Sequence, residues 1–109
     1  MTSPLVSNLE KMIGTPRDGA LLRYSLGLEL IKTGEIERAL EHLREAVARD
    51  PQYSAAWKAL GGALAKIERA SEALEAYRRG IQAAQRKGDK QAQKEMMVFA
   101  RRLEKQQRA

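Results

Sequence analysis

The residues of this chain that are able to carry out chemistry are few and far apart. His42 is the only histidine, there is no cysteine, and no serine lies close to the histidine in the sequence. A nucleophilic serine or cysteine needs a base beside it, and a zinc ion needs several histidine or cysteine ligands. We therefore interpret His42 as a lone surface residue, and we predict that the chain is not an enzyme and needs neither metal nor cofactor.

Two further patterns only superficially resemble chemical motifs. Four glutamates follow one predicted helix and are interpreted as a solvated stripe rather than a paired-carboxylate site, namely Glu35, Glu37, Glu41 and Glu45. Gly61-Gly62 has no strand before it and no Gly-Lys-Ser/Thr after it, so it is not a phosphate-binding loop. The sequence therefore informs about architecture and binding, not about catalysis.

Hydrophobic periodicity predicts that the elements of the chain are helices. Apolar residues recur near the 3.6-residue period of an amphipathic helix, which predicts a short N-terminal helix and helices over about 20–33, 36–49, 54–67, 71–86 and 90–107. The predicted N-caps are Ser3, Ser7 with Glu10, Ser54, Ser71 and Asp89. The predicted helix ends are Gly14-Thr15-Pro16, Gly34, Asp50-Pro51 and Gly88.

The longer helices contain two copies of one pattern, 34 residues apart. Leu26-Gly27 recurs as Leu60-Gly61, and the same offset relates Ala39 to Ala73, Leu43 to Tyr77 and Ala46 to Gly80. With Trp57 three residues before Leu60, this pattern resembles the tetratricopeptide repeat, written W-x2-L-G-x2-Y…A-x3-F…P. The resemblance covers about residues 20–87. It implies an all-α fold, a right-handed α–α superhelix of stacked antiparallel helix pairs, with small residues at close helix crossings.

The second repeat departs from the family pattern at two positions. Glu68 stands where the first repeat has Gly34, which leaves the tightness of that turn open. Gln85 stands where the family has its final proline, so we expect this helix to continue until Gly88.

The chain divides into a short N-terminal segment and a repeat domain. Residues 1–15 are predicted to form a short helix or lid, which packs on the first repeat or into the groove. Residues 16–109 are predicted to form the repeat domain, with repeats at about 20–53 and 54–87 and a capping helix at about 89–107. Because about three repeats are normally needed for a continuous core, the terminal helices or a second copy must supply the missing packing.

The repeat architecture implies a concave surface lined by the first helix of each pair. The residues expected to line this peptide-binding groove are Tyr24, Leu28, Lys32, Lys58, Gly62, Lys66, Met96 and Phe99. Such a mixture suits a peptide segment with apolar and acidic residues, because cations orient it and apolar burial supplies affinity. The alternative is that Tyr24, Leu28, Met96 and Phe99 bury against the N-terminal helix and leave no open groove.

The family resemblance implies a protein–protein interaction module, a scaffold or adaptor. Some members of the family hold the C-terminal carboxylate of chaperones with lysine and asparagine side chains. The corresponding positions here are Tyr24, Leu28, Ala59, Asp89 and Gln93, and none of them matches. We therefore predict a module that is not of the chaperone carboxylate-clamp type.

The C-terminal third of the chain is strongly basic. The net charge of the whole chain is +6, and residues 78–109 contain ten Lys or Arg and only three acidic residues. We interpret this region either as a solvated helix surface or as a surface that attracts an acidic partner. It leaves two other functions open: a homodimer or other homo-oligomer that pairs through Met97, Val98 and the final helix, and, with less support, nucleic-acid binding.

Composition and patterning also limit the environment that we expect. Without cysteine there is no disulfide, and nothing points to an oxidising compartment. Met1–Ile13 lacks the basic start and apolar run of a signal peptide. No stretch approaches the roughly 20 apolar residues of a membrane span, so we predict a cytoplasmic protein that does not bind membranes.

Overall fold

The computed structural model describes residues 3–108, and these residues form six α-helices and no strand. The helices are α1 (Pro4–Glu10), α2 (Ala20–Lys32), α3 (Ile36–Arg49), α4 (Ser54–Lys66), α5 (Ala70–Lys87) and α6 (Lys90–Arg108). The predicted all-α class is therefore confirmed. Met1, Thr2 and Ala109, which belong to the predicted segments 1–15 and 16–109, lie outside the described residues.

The helices pack as two pairs, one added helix at each end, and a junction between the pairs. α2 packs on α3 and α4 on α5, while α3 contacts α4 and joins the pairs. α1 packs on α2, and α6 packs on α5. From α2 to α6 the connections are only two to four residues long, and such short connections make consecutive helices antiparallel neighbours.

Two predicted N-caps are confirmed by hydrogen bonds. The Val6 backbone N–H donates to Ser3 Oγ at 3.1 Å, with Pro4 in the first turn. The Ala92 backbone N–H donates to Asp89 Oδ1 at 3.1 Å. A side-chain oxygen at this position satisfies a backbone donor that the helix itself leaves unpaired.

Two other predicted N-caps are wrong, because α4 and α5 begin earlier than a serine cap requires. Tyr53 and Arg69 occupy the N-cap positions, and neither makes a side-chain capping bond. Ser54 and Ser71 lie inside their helices. The short connections between the packed helices fix where each helix begins, and this outweighs the local preference of serine for a cap.

The predicted capping box and stop signal of α1 are also corrected. Ser7 lies inside α1, and Glu10 ends it, where Glu10 Oε2 accepts a hydrogen bond from Arg38 Nη2 at 2.7 Å. α1 thus stops four residues before Gly14. Residues 11–14 form turns, in which Gly14 has a φ of +80°. The long-range ion pair to α3 replaces the local contact that the sequence pattern predicts.

The helices α2, α4 and α5 end in the same kind of tight turn. In each, a backbone N–H after the helix donates to a carbonyl five residues earlier, at 2.9 to 3.0 Å. The residue inside the turn has a left-handed backbone, with φ of 81° at Gly34, 61° at Glu68 and 74° at Gly88. Glu68 therefore keeps the turn tight, although its Cβ makes this conformation cost about 1 kcal/mol. As predicted, α5 continues past Gln85 and ends before Gly88.

Glycine marks the closest crossing inside each helix pair. A Cβ on Gly27 would lie 2.6 Å from Leu43 Cγ, and a Cβ on Gly61 would lie 2.7 Å from the ring of Tyr77. Carbon atoms do not approach one another so closely in packed interiors. The predicted equivalence of the two crossings, 34 residues apart, is confirmed.

The N-terminal helix packs on the first repeat. Val6 is completely buried in a cluster with Leu22, Leu26, Leu30 and Ala39. The four groove residues of the alternative packing against α1, which are Tyr24, Leu28, Met96 and Phe99, do not belong to this cluster. α1 therefore packs on α2 without contacting α4 or α6, and it leaves the predicted groove uncovered.

Candidate functional site

The candidate site is the face formed by the first helix of each pair and by α6. α4 contacts both α2 and α6, so the three helices lie side by side with α4 in the centre. We call the surface along these helices the groove. Seven of the eight residues predicted for it lie on these three helices and are half-buried or exposed, namely Tyr24, Leu28, Lys32, Lys58, Gly62, Lys66 and Phe99.

The α2 side of the groove is mainly apolar. Leu28 is half-buried, and the ring of Tyr24 lies 5.0 Å from that of Tyr53, centroid to centroid. Leu21, seven residues before Leu28 on the same helix face, is 69% exposed. Sequence reasoning missed Leu21, although its spacing from Leu28 was the available signal. Lys32 is well exposed, and its Nζ lies 3.0 Å from Glu29 Oε1.

The centre of the groove contains an ion pair that the sequence does not indicate. Lys58 Nζ donates to Glu95 Oε1 at 2.8 Å and so connects α4 to α6. Lys58 therefore bridges two helices, whereas we predicted it only as a cation that lines the groove. Gly62 leaves the backbone of α4 open, since a Cβ there would lie 3.7 Å from the nearest atom, the Tyr77 hydroxyl.

Lys66 is the groove cation on α4 that remains available. Its side chain is exposed, and no carboxylate oxygen lies within 4.0 Å of its Nζ among residues 3–108. An exposed ammonium group without a partner on its own chain is free to meet an acidic group of a ligand.

The prediction that Met96 lines the groove is wrong. Met96 is completely buried, and its Sδ occupies the space beside Gly80, where a glycine Cβ would collide with it. Trp57 is also close to this glycine, with its Cβ at 2.8 Å from the same position. A flexible thioether fills an irregular gap of this kind well, so Met96 belongs to the core.

Phe99 and Arg102 form the α6 side of the groove. The Phe99 ring lies 5.7 Å from the Tyr77 ring, and the Arg102 guanidinium lies 5.9 Å above Phe99. A cavity of about 230 Å³ lies between α4, α5 and α6, lined by Ala65, Tyr77, Phe99, Arg102, Leu103 and Gln106. Burial raises the pKa of the Tyr77 hydroxyl. Sequence reasoning missed Arg102 because it counted only as part of the basic C-terminal region.

A larger cavity of about 590 Å³ lies on the opposite face of α4, between α3 and α5. Trp57, Leu60 and Leu64 form its floor. The charges at its rim are already matched, since Arg44 pairs with Glu72 at 3.2 Å and Arg79 pairs with Glu75 at 3.5 Å. It therefore offers apolar surface without a free charge to orient a ligand.

His42 is part of the scaffold. It is half-buried, not exposed as we predicted, and its Nδ1 lies 3.5 Å from Arg23 Nη1. Burial and the positive charge of Arg23 lower the pKa of His42. No group of three potential ligands for a metal ion occurs within residues 3–108.

Asp18 holds the entrance to α2 in place. Its side chain is 6% exposed, and its Oδ1 accepts from Arg23 Nε at 2.9 Å while its Oδ2 accepts from the Gly14 N–H at 2.9 Å. These hydrogen bonds hold the pKa of Asp18 well below its usual range. The cluster lies outside the groove and serves the fold.

Comparison with known proteins agrees with this geometry. The sequence profile described as tetratricopeptide repeat matches residues 24–88. A TPR repeat-containing protein of Pseudomonas aeruginosa is 45% identical over 101 residues, which cover 93% of this chain and 96% of that protein.

Solved structures have the same fold. The solution structure of a Bordetella parapertussis protein is 39% identical with a TM-score of 0.80 and covers 96% of this chain and 91% of its own. The TPR2B domain of yeast Sti1, solved in complex with pHsp70, has a TM-score of 0.84 at 17% identity and covers 93% of this chain and 81% of its own. At that identity the likeness concerns the fold alone, an α–α superhelix.

No helix within residues 3–108 is both long enough and apolar enough to cross a bilayer.

Proposed function

The chain belongs to the tetratricopeptide repeat family, and on this premise we propose that it holds a peptide segment of a partner protein in the groove. Tetratricopeptide repeats generally mediate protein–protein interaction and act as scaffolds rather than enzymes. The observation that carries the proposal is the groove itself, which α1 leaves uncovered. A cytoplasmic location, favoured by the absence of cysteine, is part of the same proposal.

The side chains of the groove favour a segment with an apolar part and an acidic part. Leu21 and Leu28 offer apolar area on α2, whereas Lys66 on α4 and Arg102 beside Phe99 on α6 offer cations. Apolar burial supplies most of the affinity of such interfaces, and the charges orient the ligand and exclude wrong partners. We expect the apolar residues of the segment on α2 and its acidic residues between α4 and α6.

The groove lacks the side chains for chaperone-tail capture. Lysine and asparagine are expected at five positions, which here are Tyr24, Leu28, Ala59, Asp89 and Gln93. A free carboxylate needs donors from such groups. We therefore propose a partner other than a chaperone tail, although the yeast Sti1 domain of the same fold was solved with pHsp70.

The proposal is tested by photo-crosslinking from inside and outside the groove. A photoreactive phenylalanine analogue is introduced at Leu28, and a second protein carries it at Lys11, which is exposed and outside the groove. Both proteins are irradiated in extract of the native cell, and crosslinked peptides are identified by mass spectrometry. We expect one recurrent segment to crosslink from Leu28 and not from Lys11.

A charge variant with a matched control completes the test. Lys66→Glu is expected to weaken capture of that segment, whereas Lys11→Glu changes the same charge elsewhere and is expected to leave capture unchanged. Lys58→Glu is unsuitable, because it would place a second carboxylate against Glu95 and disturb α6. Equal crosslinking from both positions, or unchanged capture by a folded Lys66→Glu protein, contradicts the proposal.

The homo-oligomer that we considered from the sequence has one observation in its favour. Met97 and Val98 on α6 are 39% and 42% exposed, which is apolar surface available for pairing. Sedimentation velocity over a range of concentrations tests this alternative. A single species of about 12 kDa at every concentration would rule it out.

A further inference from the structure

One face of α6 points away from both the core and the groove and carries a row of cations. Lys90, Lys94, Arg101, Lys105 and Arg108 follow at intervals of four, seven, four and three residues. This spacing places them on one helix face, and all five are exposed. At 1.5 Å per residue the row is about 27 Å long. We call this row the basic stripe.

The charge of the basic stripe is not compensated within the described residues. None of the five cations has a carboxylate oxygen within 4.0 Å among residues 3–108. The two acids inside α6 are engaged elsewhere, Glu95 with Lys58 at 2.8 Å and Glu104 with Arg78 at 3.8 Å. In residues 3–77, by contrast, seven of ten cations lie in ion pairs.

Two exposed apolar side chains interrupt the basic stripe at its centre. Met97 and Val98 lie between Lys94 and Arg101 and are 39% and 42% exposed. Apolar area surrounded by charge of one sign is a common composition for a binding surface, because the rim attracts and the centre buries area. A helix that only solvated the end of the array would need no apolar residues here.

We propose that the basic stripe is a second protein-binding surface, which takes an acidic segment of a partner with an apolar residue seated on Met97 and Val98. Charge complementarity argues for this occupant: five uncompensated cations attract carboxylates, and the apolar centre selects a segment that is not uniformly charged. The surface lies on the far side of α6 from the groove. The proposal therefore does not depend on the groove proposal.

The other occupants fit the stripe less well. Single-stranded nucleic acid needs aromatic platforms, and the aromatic residue of α6, Phe99, packs against Tyr77 in the groove. A membrane-surface helix needs a broad apolar face, but Met96 and Leu103 are buried in the core. A second copy that paired face to face would bring two basic stripes together, which repulsion opposes.

The test uses two synthetic acidic peptides as probes. Each has about 18 residues, which as a helix matches the length of the stripe, and carries glutamates around a central leucine pair or, in the second peptide, a serine pair. Fluorescence anisotropy at low salt measures binding to the full chain. We expect the leucine peptide to bind at least about tenfold more tightly than the serine peptide, because only the leucines bury apolar area against Met97 and Val98.

Matched charge variants localise the binding. In Lys94→Glu with Arg101→Glu, the new glutamates lie four residues from Lys90 and Lys105, so the helix keeps favourable pairs. The control, Lys11→Glu with Arg17→Glu, makes the same charge change at exposed positions away from α6. We expect the first variant to bind the leucine peptide at least about tenfold more weakly and the control to bind it like wild type.

Each remaining outcome overturns the proposal. It fails if the wild-type protein binds neither peptide at low salt, if both variants bind alike, or if the serine peptide binds as well as the leucine peptide. It also fails if an oligothymidine or phosphatidylserine vesicles bind and the peptides do not. Lys66→Glu serves to separate the two proposals: it is expected to leave peptide binding to the stripe unchanged whatever it does to capture in the groove.

Discussion

The two repeats have the same crossings but different exposed faces. Gly27 lies against Leu43 in the first pair, and Gly61 lies against Tyr77 in the second, with nearly the same separation. A crossing leaves no room for a side chain, because the partner helix occupies the space. Packing therefore restricts these positions to glycine in both repeats.

Two of the three equivalent groove positions differ between the repeats, and only Lys32 and Lys66 match. Tyr24 corresponds to Lys58, and Leu28 corresponds to Gly62, at the same offset of 34 residues. These side chains meet solvent, α6 or a ligand rather than the partner helix. The 34-residue repeat is therefore kept where the helices of a pair pack on each other. It is mostly lost where side chains contact solvent, α6 or a ligand.

The segment that precedes the first helix of each pair is held by a different interaction in the two repeats. Trp57 is buried, and its Nε1 donates to Pro51 O at 2.8 Å, in the connection before α4. Its counterpart Arg23 donates to Asp18 at 2.9 Å, in the segment before α2. One repeat uses an aromatic ring and the other an ion pair for the same structural task.

Trp57→Ala should have the largest effect of the changes that probe this comparison. Truncating a large buried aromatic side chain leaves a cavity, and we expect the free energy of unfolding to fall by about 4 kcal/mol. Urea denaturation followed by circular dichroism measures it. Trp57→Phe, which keeps much of the ring volume, should cost clearly less, and equal costs would show that the aromatic packing is unimportant.

Gly61→Ala and Gly62→Ala should differ in sign although they are neighbours. At position 61 the methyl group would meet the Tyr77 ring at 2.7 Å, and we expect a loss of about 2 kcal/mol. At position 62 the nearest atom is 3.7 Å away, and the higher helix propensity of alanine should stabilise by up to about 1 kcal/mol. Urea denaturation of both proteins compares them, and similar values would contradict the assigned crossing.

Exchanging the two turn residues should have smaller and opposite effects. Glu68→Gly removes the strain of a left-handed glutamate and should stabilise the protein by about 1 kcal/mol, whereas Gly34→Glu introduces it and should destabilise by a similar amount. Thermal denaturation of both variants and the double exchange measures this. A double exchange far from neutral would mean that the two turns are not equivalent.

The pH dependence of stability should distinguish the segment before α2 from the segment before α4. This dependence should appear only at acidic pH. Asp18 has a lowered pKa in the folded protein, so its contribution is complete above the unfolded value of about 3.9 and is lost as the pH falls below it. Asp18→Asn should therefore destabilise at pH 7 and reduce the loss of stability between neutral and strongly acidic pH. The contribution of Trp57 should not change over this range. A Trp57 effect that followed the same pH curve would contradict this distinction.

The sequence predicted the fold because the fold depends on features that repeat. The repeated Leu26-Gly27 and Leu60-Gly61 indicated two equivalent helix pairs. Gly34 and Gly88 indicated turns, which the structure confirms. The N-caps of α4 and α5 were wrong, because Tyr53 and Arg69 occupy those positions and Ser54 and Ser71 lie within the helices.

The site was harder to predict because its side chains are decided by contacts that are distant in the sequence. Met96 looked like a groove residue by spacing, yet it fills the gap beside Gly80. Lys58 looked like a free cation until α6 brought Glu95 to within 2.8 Å. Neither contact has a signal in the local pattern, since each joins residues 16 or more positions apart.

A double-mutant cycle between Gly61 and Tyr77 tests most directly whether the repeated glycines mark close helix crossings. The free energy of unfolding is measured by urea denaturation for wild type, Gly61→Ala, Tyr77→Ala and the double variant. If the Tyr77 ring is what excludes a side chain at position 61, Gly61→Ala should cost about 2 kcal/mol in wild type and nothing once the ring is removed. Equal costs in both backgrounds would contradict the account.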